Sequence, residues 1–198
     1  FQTGTCWAFA ALSCTESNLI QKGLENQNVQ FSVPSLVLST YANGGFDESI
    51  WDCGGTWMDS SLAMAAHRGL CYDEYEPFVS DGTEATIVSE EKKGVCEYQL
   101  NYASTITGGR NAIKNKIKEL GGVLVSYYAD DLYMTFDNKS YYDPETTKYS
   151  GINHAVSVVG WDDNYSKSNF LAGYQPKKNG AWLVKGSWGV SSGTDGYY

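Results

Sequence analysis

Apolar residues in the first half of the chain recur with the spacing of helices. A continuous apolar run after Cys6 predicts a helix over residues 6–22. Pro34 suits the first turn of a second helix, and a third amphipathic segment covers residues 58–68. The first half is therefore predicted to be mainly helical.

The second half has the alternation that is typical of strands. An amphipathic pattern still predicts one helix there, over residues 110–120, and paired glycines end it. Short runs that are apolar or alternate between apolar and polar residues predict strands over residues 98–106, 123–128, 155–161 and 181–184. Polar stretches over residues 130–150 and 162–178 are predicted to be surface loops.

Composition excludes several classes of protein. The 198 residues carry a formal net charge of −9, which argues against a nucleic-acid surface. No run of about 18 apolar residues occurs, so no membrane span is expected. Hydrophobic residues make up 42% of the chain, enough for a globular core. No metal is expected, because the acidic run Asp162-Asp163-Asn164 lacks the spacing of a calcium loop. No sequence feature suggests an organic cofactor, so none is expected.

Five cysteines, an odd number, leave at least one thiol unpaired. If Cys6 is free, three full pairings of the other four remain open, and the sequence does not choose between them. Cys14 is expected in the core of the first helix, and Cys71 and Cys96 flank a loop-rich stretch and could pair.

Cys6 opens the first predicted helix behind a short turn at Gly4 and Thr5. The positive end of the helix dipole favours a thiolate at this position. Backbone N–H groups of the same turn can bind a developing oxyanion. Both properties suit a nucleophile, although a free cysteine at the start of a core helix is equally often a small buried apolar residue.

A histidine base must be His67 or His154, because the chain has two histidines. His67 ends a predicted helix, where histidine is commonly structural. His154 lies at the mouth of the apolar strand 155–161. An imidazole beside Cys6 would take the thiol proton and later protonate a departing amine.

Motifs in the right order resemble those of papain-like cysteine peptidases, from a bacterial or archaeal branch. Gly4-Thr5-Cys6-Trp7-Ala8-Phe9 resembles the family's nucleophile segment. Asn153-His154-Ala155-Val156 resembles its base strand. Lys185-Gly186-Ser187-Trp188-Gly189 resembles the third active-site motif. A glycine pair at Gly54 and Gly55 resembles the family's substrate groove. The resemblance covers nearly the whole chain.

The resemblance implies an α+β, papain-like two-lobed fold with the active-site cleft between the lobes. Residues 1–198 would form one peptidase domain, with a helical lobe over about residues 1–95 and an antiparallel β-barrel-like lobe over about residues 96–198. The chain opens inside a motif and looks truncated at both ends. The family's oxyanion-hole glutamine would fall one residue before Phe1.

The resemblance also assigns roles to particular residues. Cys6 would be the nucleophile, His154 the base and Trp188 the shield of the pair. Gly186 stands where the family has the asparagine that orients the histidine. The substrate-binding positions that the family implies are Gly54, Gly55, Trp57, Ile152, Asn153 and Ala155, with a preference for apolar side chains.

The implied activity is that of a cysteine endopeptidase, a secreted thiol protease (hydrolase) that cleaves protein or peptide substrates outside the cell or at its surface. An inhibitory pro-segment outside this chain would fit the family. Because Gly186 cannot orient His154, the alternative is a catalytically silent papain-like module that binds peptides. Two other classes of protein fit the sequence less well. Aminopeptidase relatives usually have Arg where Thr5 stands, and transglutaminase-like proteins lack the Ser187-Trp188-Gly189 match. Replacing Gly186→Asn is expected to raise turnover.

Overall fold

The computed structural model describes residues 4–41, 61, 70–75, 77–78, 98–145 and 151–198. Its helices are α1 (Cys6–Gln21), α2 (Val33–Tyr41) and α3 (Arg110–Leu120), and its strands are β1 (Val123–Tyr127), β2 (His154–Asp162) and β3 (Ala181–Lys185). Single 3-10 turns occur at Asp131–Tyr133 and Lys167–Asn169. Most of the predicted helix over residues 58–68 lies outside the described residues.

Most of the elements that the apolar pattern predicts are confirmed within one or two residues. The strand predicted over residues 98–106 is wrong, because residues 98–107 have no regular structure and residues 101–105 are exposed. None of the strands that the structure describes pairs with this segment. Instead the Tyr98 carbonyl accepts a hydrogen bond from Leu70 N–H at 3.2 Å. The segment is an irregular connection that leads to α3.

The three strands form one antiparallel sheet in the order β1-β2-β3. Tyr127 on β1 lies opposite His154 on β2, and a bulge interrupts the β2–β3 pairing between Val158 and Gly160. The barrel-like closure expected from the resemblance is corrected by this open sheet. The three strands found among the described residues are too few to close around a core. The outer edge of β3 instead exchanges two hydrogen bonds with Tyr198 through Val184, at 2.8 and 3.0 Å.

Helix α1 lies between the helical half and the sheet. Its residues Trp7 and Leu12 share the largest core cluster with residues of α2 and with Ala155 of β2. A second cluster packs α3 against the sheet through Ile117, Val123 and Val158. The helix that begins at Cys6 is therefore fixed from both sides.

Glu16 ties the C-terminal half of the chain to the N-terminal half. Its side chain is buried in α1, and Oε1 accepts a hydrogen bond from the backbone N–H of Phe31 at 3.0 Å. Its Oε2 lies 3.2 Å from Nζ of Lys185 at the end of β3. One carboxylate thus connects α1, the segment before α2 and the strand that leads to Gly186.

Side chains of α1 also cap the end of α3. Asn18 Nδ2 donates to the Leu120 carbonyl at 3.0 Å, and Gln21 Nε2 donates to the Lys118 carbonyl. These carbonyls belong to the last turn, where a helix has no internal donors left. Gly121 follows with φ of +86°, and a Cβ there would lie 2.5 Å from the Ser17 carbonyl oxygen. The turn therefore requires glycine for both its conformation and its closeness to α1.

Removing the Glu16 carboxylate should destabilise the whole fold. Glu16→Ala leaves Lys185 and the Phe31 N–H without their acceptor, and the free energy of unfolding should fall by about 2–3 kcal/mol. This is below the range for a fully buried pair because the Lys185 side chain is 37% exposed. Chemical denaturation monitored by tryptophan fluorescence measures the change.

The matched control is Glu119→Ala, which removes an exposed pair with Lys116. That variant should change the free energy of unfolding by less than about 0.5 kcal/mol. Equal losses in the two variants would contradict a special role for Glu16.

Candidate active site

Cys6 is the first residue of α1 and is partly buried. Thr5 before it is 1% exposed, and its carbonyl accepts hydrogen bonds from the N–H groups of Ala8 and Phe9 at 3.0 and 3.2 Å. The backbone of the first turn is therefore fixed around the thiol. This confirms the predicted placement of Cys6 at a helix N-terminus.

His154 is the first residue of β2 and is buried. The Trp188 ring stacks on its imidazole, with centroids 4.7 Å apart and planes 9° apart. Tyr127, its neighbour across the sheet, meets the imidazole edge to face at 5.7 Å. The predicted shielding of His154 by Trp188 thus corresponds to a direct ring contact.

The packing of α1 against β2 brings the Cys6 and His154 ends of these elements to the same region. Cys6 packs against the core cluster that includes Trp7 and Ala155, the neighbour of His154. Burial raises the pKa of Tyr198 to about 12, and the charge of Cys6 acts in the same direction. Burial likewise raises the pKa of Tyr127, again with a contribution from Cys6. The thiol therefore lies within electrostatic reach of two phenols that surround His154.

The imidazole of His154 lacks the hydrogen bond that an asparagine would supply. Its Nε2 is buried and has no hydrogen-bond partner among the residues that the structure describes. Gly186 lies in the stretch after β3, and its N–H donates to the Gly196 carbonyl at 3.0 Å. Because glycine has no side-chain acceptor, the departure from the family motif also removes a hydrogen-bond partner of the imidazole from the structure.

Burial lowers the pKa of His154. An imidazole in this position favours the neutral form unless a negative charge lies beside it. Since the unfolded chain accepts this proton more readily, a lowered pKa makes the fold less stable as pH falls below about 6.5. A thiolate at Cys6 would oppose this effect by stabilising the imidazolium.

The predicted substrate-binding residues have different environments. Ile152 is 70% exposed, whereas Ala155 is buried in the core cluster. The Asn153 amide is bonded on both sides to the backbone of Ala129, at 2.6 and 2.8 Å, so it holds the loop after β1. Gly54, Gly55 and Trp57 lie outside the described residues.

Two tyrosines at the site were not identified from the sequence. Tyr127 and Tyr198 join their hydroxyl groups at 3.0 Å beside His154. Strands were predicted over residues 123–128 and 155–161, but the antiparallel pairing that sets Tyr127 opposite His154 was not predicted. Nothing in the local pattern distinguishes Tyr198 from the other 14 tyrosines.

The acidic run after β2 is used internally. Asp162 Oδ1 accepts a hydrogen bond from Asn164 N–H at 2.8 Å, and the Asp163 carboxylate pairs with Lys114. Across the described ranges, no group of three or more His, Cys, Asp or Glu side chains is placed to hold a metal. Within the same ranges, no helix combines the length and apolar character needed to cross a bilayer.

Comparison with known proteins gives the class of this site. The family described as papain family cysteine protease matches residues 1–198. The chain therefore belongs to the papain family of cysteine proteases, and its fold is papain-like, as the resemblance implied.

Two curated relatives are mammalian. Mouse procathepsin L is 27% identical over 205 residues, which cover 99% of this chain and 53% of that protein. Mouse cathepsin K is 27% identical over 197 residues, with the same shares of the two chains. The chain spans about half the length of the curated relatives that it matches.

Solved structures point to a bacterial relative. The clostridial cysteine protease Cwp84, after propeptide cleavage, superposes with a TM-score of 0.77 at 26% identity, over 100% of this chain and 48% of that one. The protease and lectin-like domains of Cwp84, a surface layer associated protein of Clostridium difficile, give a TM-score of 0.76 at 27% identity, over 100% of this chain and 43% of that one.

The charge state of Cys6 should be visible in the titration of His154. In Cys6→Ala, burial acts on the imidazole without an opposing thiolate, so His154 should titrate below about pH 6.5. With Cys6 present as a thiolate, the imidazolium should persist to higher pH. NMR of the imidazole C–H protons measures both, and His67→Gln assigns the second histidine. Identical titrations would show that Cys6 carries no charge beside the imidazole.

Proposed function

We propose that this chain is the peptidase domain of a cysteine endopeptidase in which Cys6 is the nucleophile and His154 the acid and base. The observation that carries the proposal is the packing of the element that begins with Cys6 against the element that begins with His154. Cys6 begins α1, His154 begins β2, and these two elements pack together through a shared core. Membership of the papain family supports the same assignment.

The reaction follows from the chemistry of the pair. The Cys6 proton moves to His154, and the thiolate sulfur forms a bond to the carbonyl carbon of the scissile peptide. The C–N bond then breaks, and the imidazolium gives its proton to the departing amine. A water molecule, deprotonated by the neutral imidazole, hydrolyses the thioester and regenerates the thiol.

The first turn of α1 supports the negative charge that develops on the substrate oxygen. The Cys6 N–H lies at the N-terminus of a 16-residue helix, where backbone donors and the helix dipole both favour an anion. This donor is part of the backbone that Thr5, Ala8 and Phe9 fix by hydrogen bonds. It therefore needs no rearrangement during the reaction.

A second candidate function is a silent peptide-binding module. The observation that favours it is the buried Nε2 of His154, which has no partner among the described residues because Gly186 supplies none. Loss of an orienting group can cost orders of magnitude in rate, about 10⁴ for the aspartate of a serine protease triad. We therefore expect a weakened enzyme, and a silent one is the competing outcome.

The relatives support proposals about the setting of the enzyme. The names procathepsin L and Cwp84 after propeptide cleavage support an inhibitory pro-segment outside residues 1–198. The description of Cwp84 as surface layer associated supports an extracellular or cell-surface location. The exposed side chain of Ile152 beside His154 supports a preference for apolar substrate side chains.

Alkylation by iodoacetamide over a range of pH, read for each cysteine by mass spectrometry on the full-length protein, tests the proposal. Cys6 should react fast, and its reaction should persist down to about pH 5–6, as expected of a thiolate–imidazolium pair. Cys14 is an internal control in the same helix. Burial raises its pKa to about 11, and its sulfur lies 3.2 Å from Ser157 Oγ, so it should stay unreactive at neutral pH.

Cleavage of dye-labelled casein completes the test. Fast alkylation of Cys6 together with casein cleavage that His154→Ala abolishes is the expected result. Reaction of Cys6 only near about pH 8.5, like an ordinary thiol, with no cleavage, would favour the silent module.

A further inference from the structure

Tyr198 occupies the space into which a side chain at residue 186 would project. A Cβ added to Gly186 would lie 2.8 Å from Tyr198 Cε1 and 3.6 Å from its Cδ1. Carbon atoms in contact stay about 3.5–4.0 Å apart. The ring of Tyr198 therefore stands where the family's asparagine would begin.

The same ring belongs to a closed set of contacts around His154. Tyr198 stacks on Trp188 with centroids 5.6 Å apart and planes 16° apart. Trp188 stacks on His154, Tyr127 meets His154 edge to face, and the hydroxyl groups of Tyr127 and Tyr198 are joined. These four residues, His154, Trp188, Tyr198 and Tyr127, are called the aromatic circuit below.

The aromatic circuit is anchored at two further points. The backbone of Tyr198 exchanges both of its hydrogen bonds with Val184 of β3. The ring of Tyr127 packs edge to face on Tyr141 at 5.3 Å, and the Tyr141 hydroxyl donates to the Tyr128 carbonyl at 2.7 Å. The Tyr198 ring consequently cannot move away from Gly186 without breaking its stack on Trp188 and its bond to Tyr127.

We propose that Tyr198 is a positioning residue that replaces the missing asparagine by holding Trp188 flat against His154. Glycine at residue 186 is then a requirement of the aromatic circuit, since any side chain there would displace the Tyr198 ring. This inference rests on the proposed function, because it concerns the orientation of the proposed base. It differs from the family's device in using ring packing where the family uses a hydrogen bond.

The aromatic circuit reverses the effect expected for Gly186→Asn from the sequence alone. The new Cβ would push the Tyr198 ring out of the stack, so the single substitution should lower kcat by about tenfold instead of raising it. Tyr198→Ala should also lower kcat by about tenfold, because Trp188 loses its support. The value of KM should change little in either variant, since neither residue is proposed to contact substrate.

The deciding variant is the double substitution Gly186→Asn with Tyr198→Ala. It removes the obstructing ring and supplies an amide, so its kcat should exceed that of both single variants. Tyr198→Phe is the matched control, because it keeps the ring and loses only the hydroxyl bond to Tyr127; its kcat should stay within about threefold of the unsubstituted protein. Casein cleavage by the full-length protein gives kcat and KM, and thermal unfolding shows that each variant is folded.

A readout that does not need turnover separates this inference from the proposed function. Ring currents of Trp188 should shift the His154 imidazole protons upfield in the NMR spectrum, and Tyr198→Ala should reduce that shift while Tyr198→Phe retains it. If no variant cleaves casein but the shift behaves in this way, the proposed function fails and the positioning role stands. An unchanged shift in Tyr198→Ala overturns the inference, as does a gain of kcat in Gly186→Asn alone.

Discussion

The buried carboxylate of Glu16 is the constraint on which the arrangement of the site depends. Its two oxygens bind the Phe31 N–H and the Lys185 ammonium, which belong to segments more than 150 residues apart in sequence. A carboxylate in such a place is costly to desolvate, and it is tolerated because both oxygens have charged or polar donors. Cys6 lies ten residues earlier in the same helix, and Gly186 follows directly on Lys185. The helix that begins with Cys6 and the stretch that follows Lys185 are therefore both held by the side chain of Glu16.

Around His154 the chain uses ring packing at a point where a polar side chain would serve. A hydrogen bond to a buried nitrogen avoids a penalty of about 1–3 kcal/mol. A stacked indole offers about 0.5–2 kcal/mol to an imidazolium through its ring face, and it fixes the plane of the imidazole. Compared with a hydrogen bond, the stacked indole therefore stabilises the charged imidazolium less, but it holds the imidazole ring rigidly in one plane.

The sequence predicted the parts of the fold that local patterns determine. Helices α1 and α3 follow from apolar spacing and terminal glycines, and β2 follows from a continuous apolar run. The strand predicted over residues 98–106 is wrong, because alternation of apolar and polar residues does not reveal whether a partner strand exists. The barrel-like lobe was carried over from the family, whereas the strands that the structure describes form an open sheet.

The candidate site was predictable to the same extent. Cys6 and His154 stand in motifs, so residue type and order were enough to select them as candidates. Tyr198 could not be identified, because its role depends on the absence of a side chain at Gly186 and on the pairing of residue 198 with Val184. The contact joins a glycine, which has no side chain, to a ring from another segment. No local sequence pattern indicates such a contact. The sequence alone predicts a gain of turnover for Gly186→Asn because the 2.8 Å approach of Tyr198 to residue 186 is visible only in the structure.

The caps that α1 places on α3 have a consequence for the order of folding. Helix α3 can begin from its own local contacts, but the Leu120 carbonyl gains its donor only when Asn18, 102 residues earlier, arrives. Closing a loop of that length costs about 4 kcal/mol of free energy through lost chain entropy, and this cost precedes any stabilising contact. The last turn of α3 is therefore completed late, when the two halves of the chain meet. The end of α3 is thus specified by contact between the two halves of the chain as well as by its own sequence.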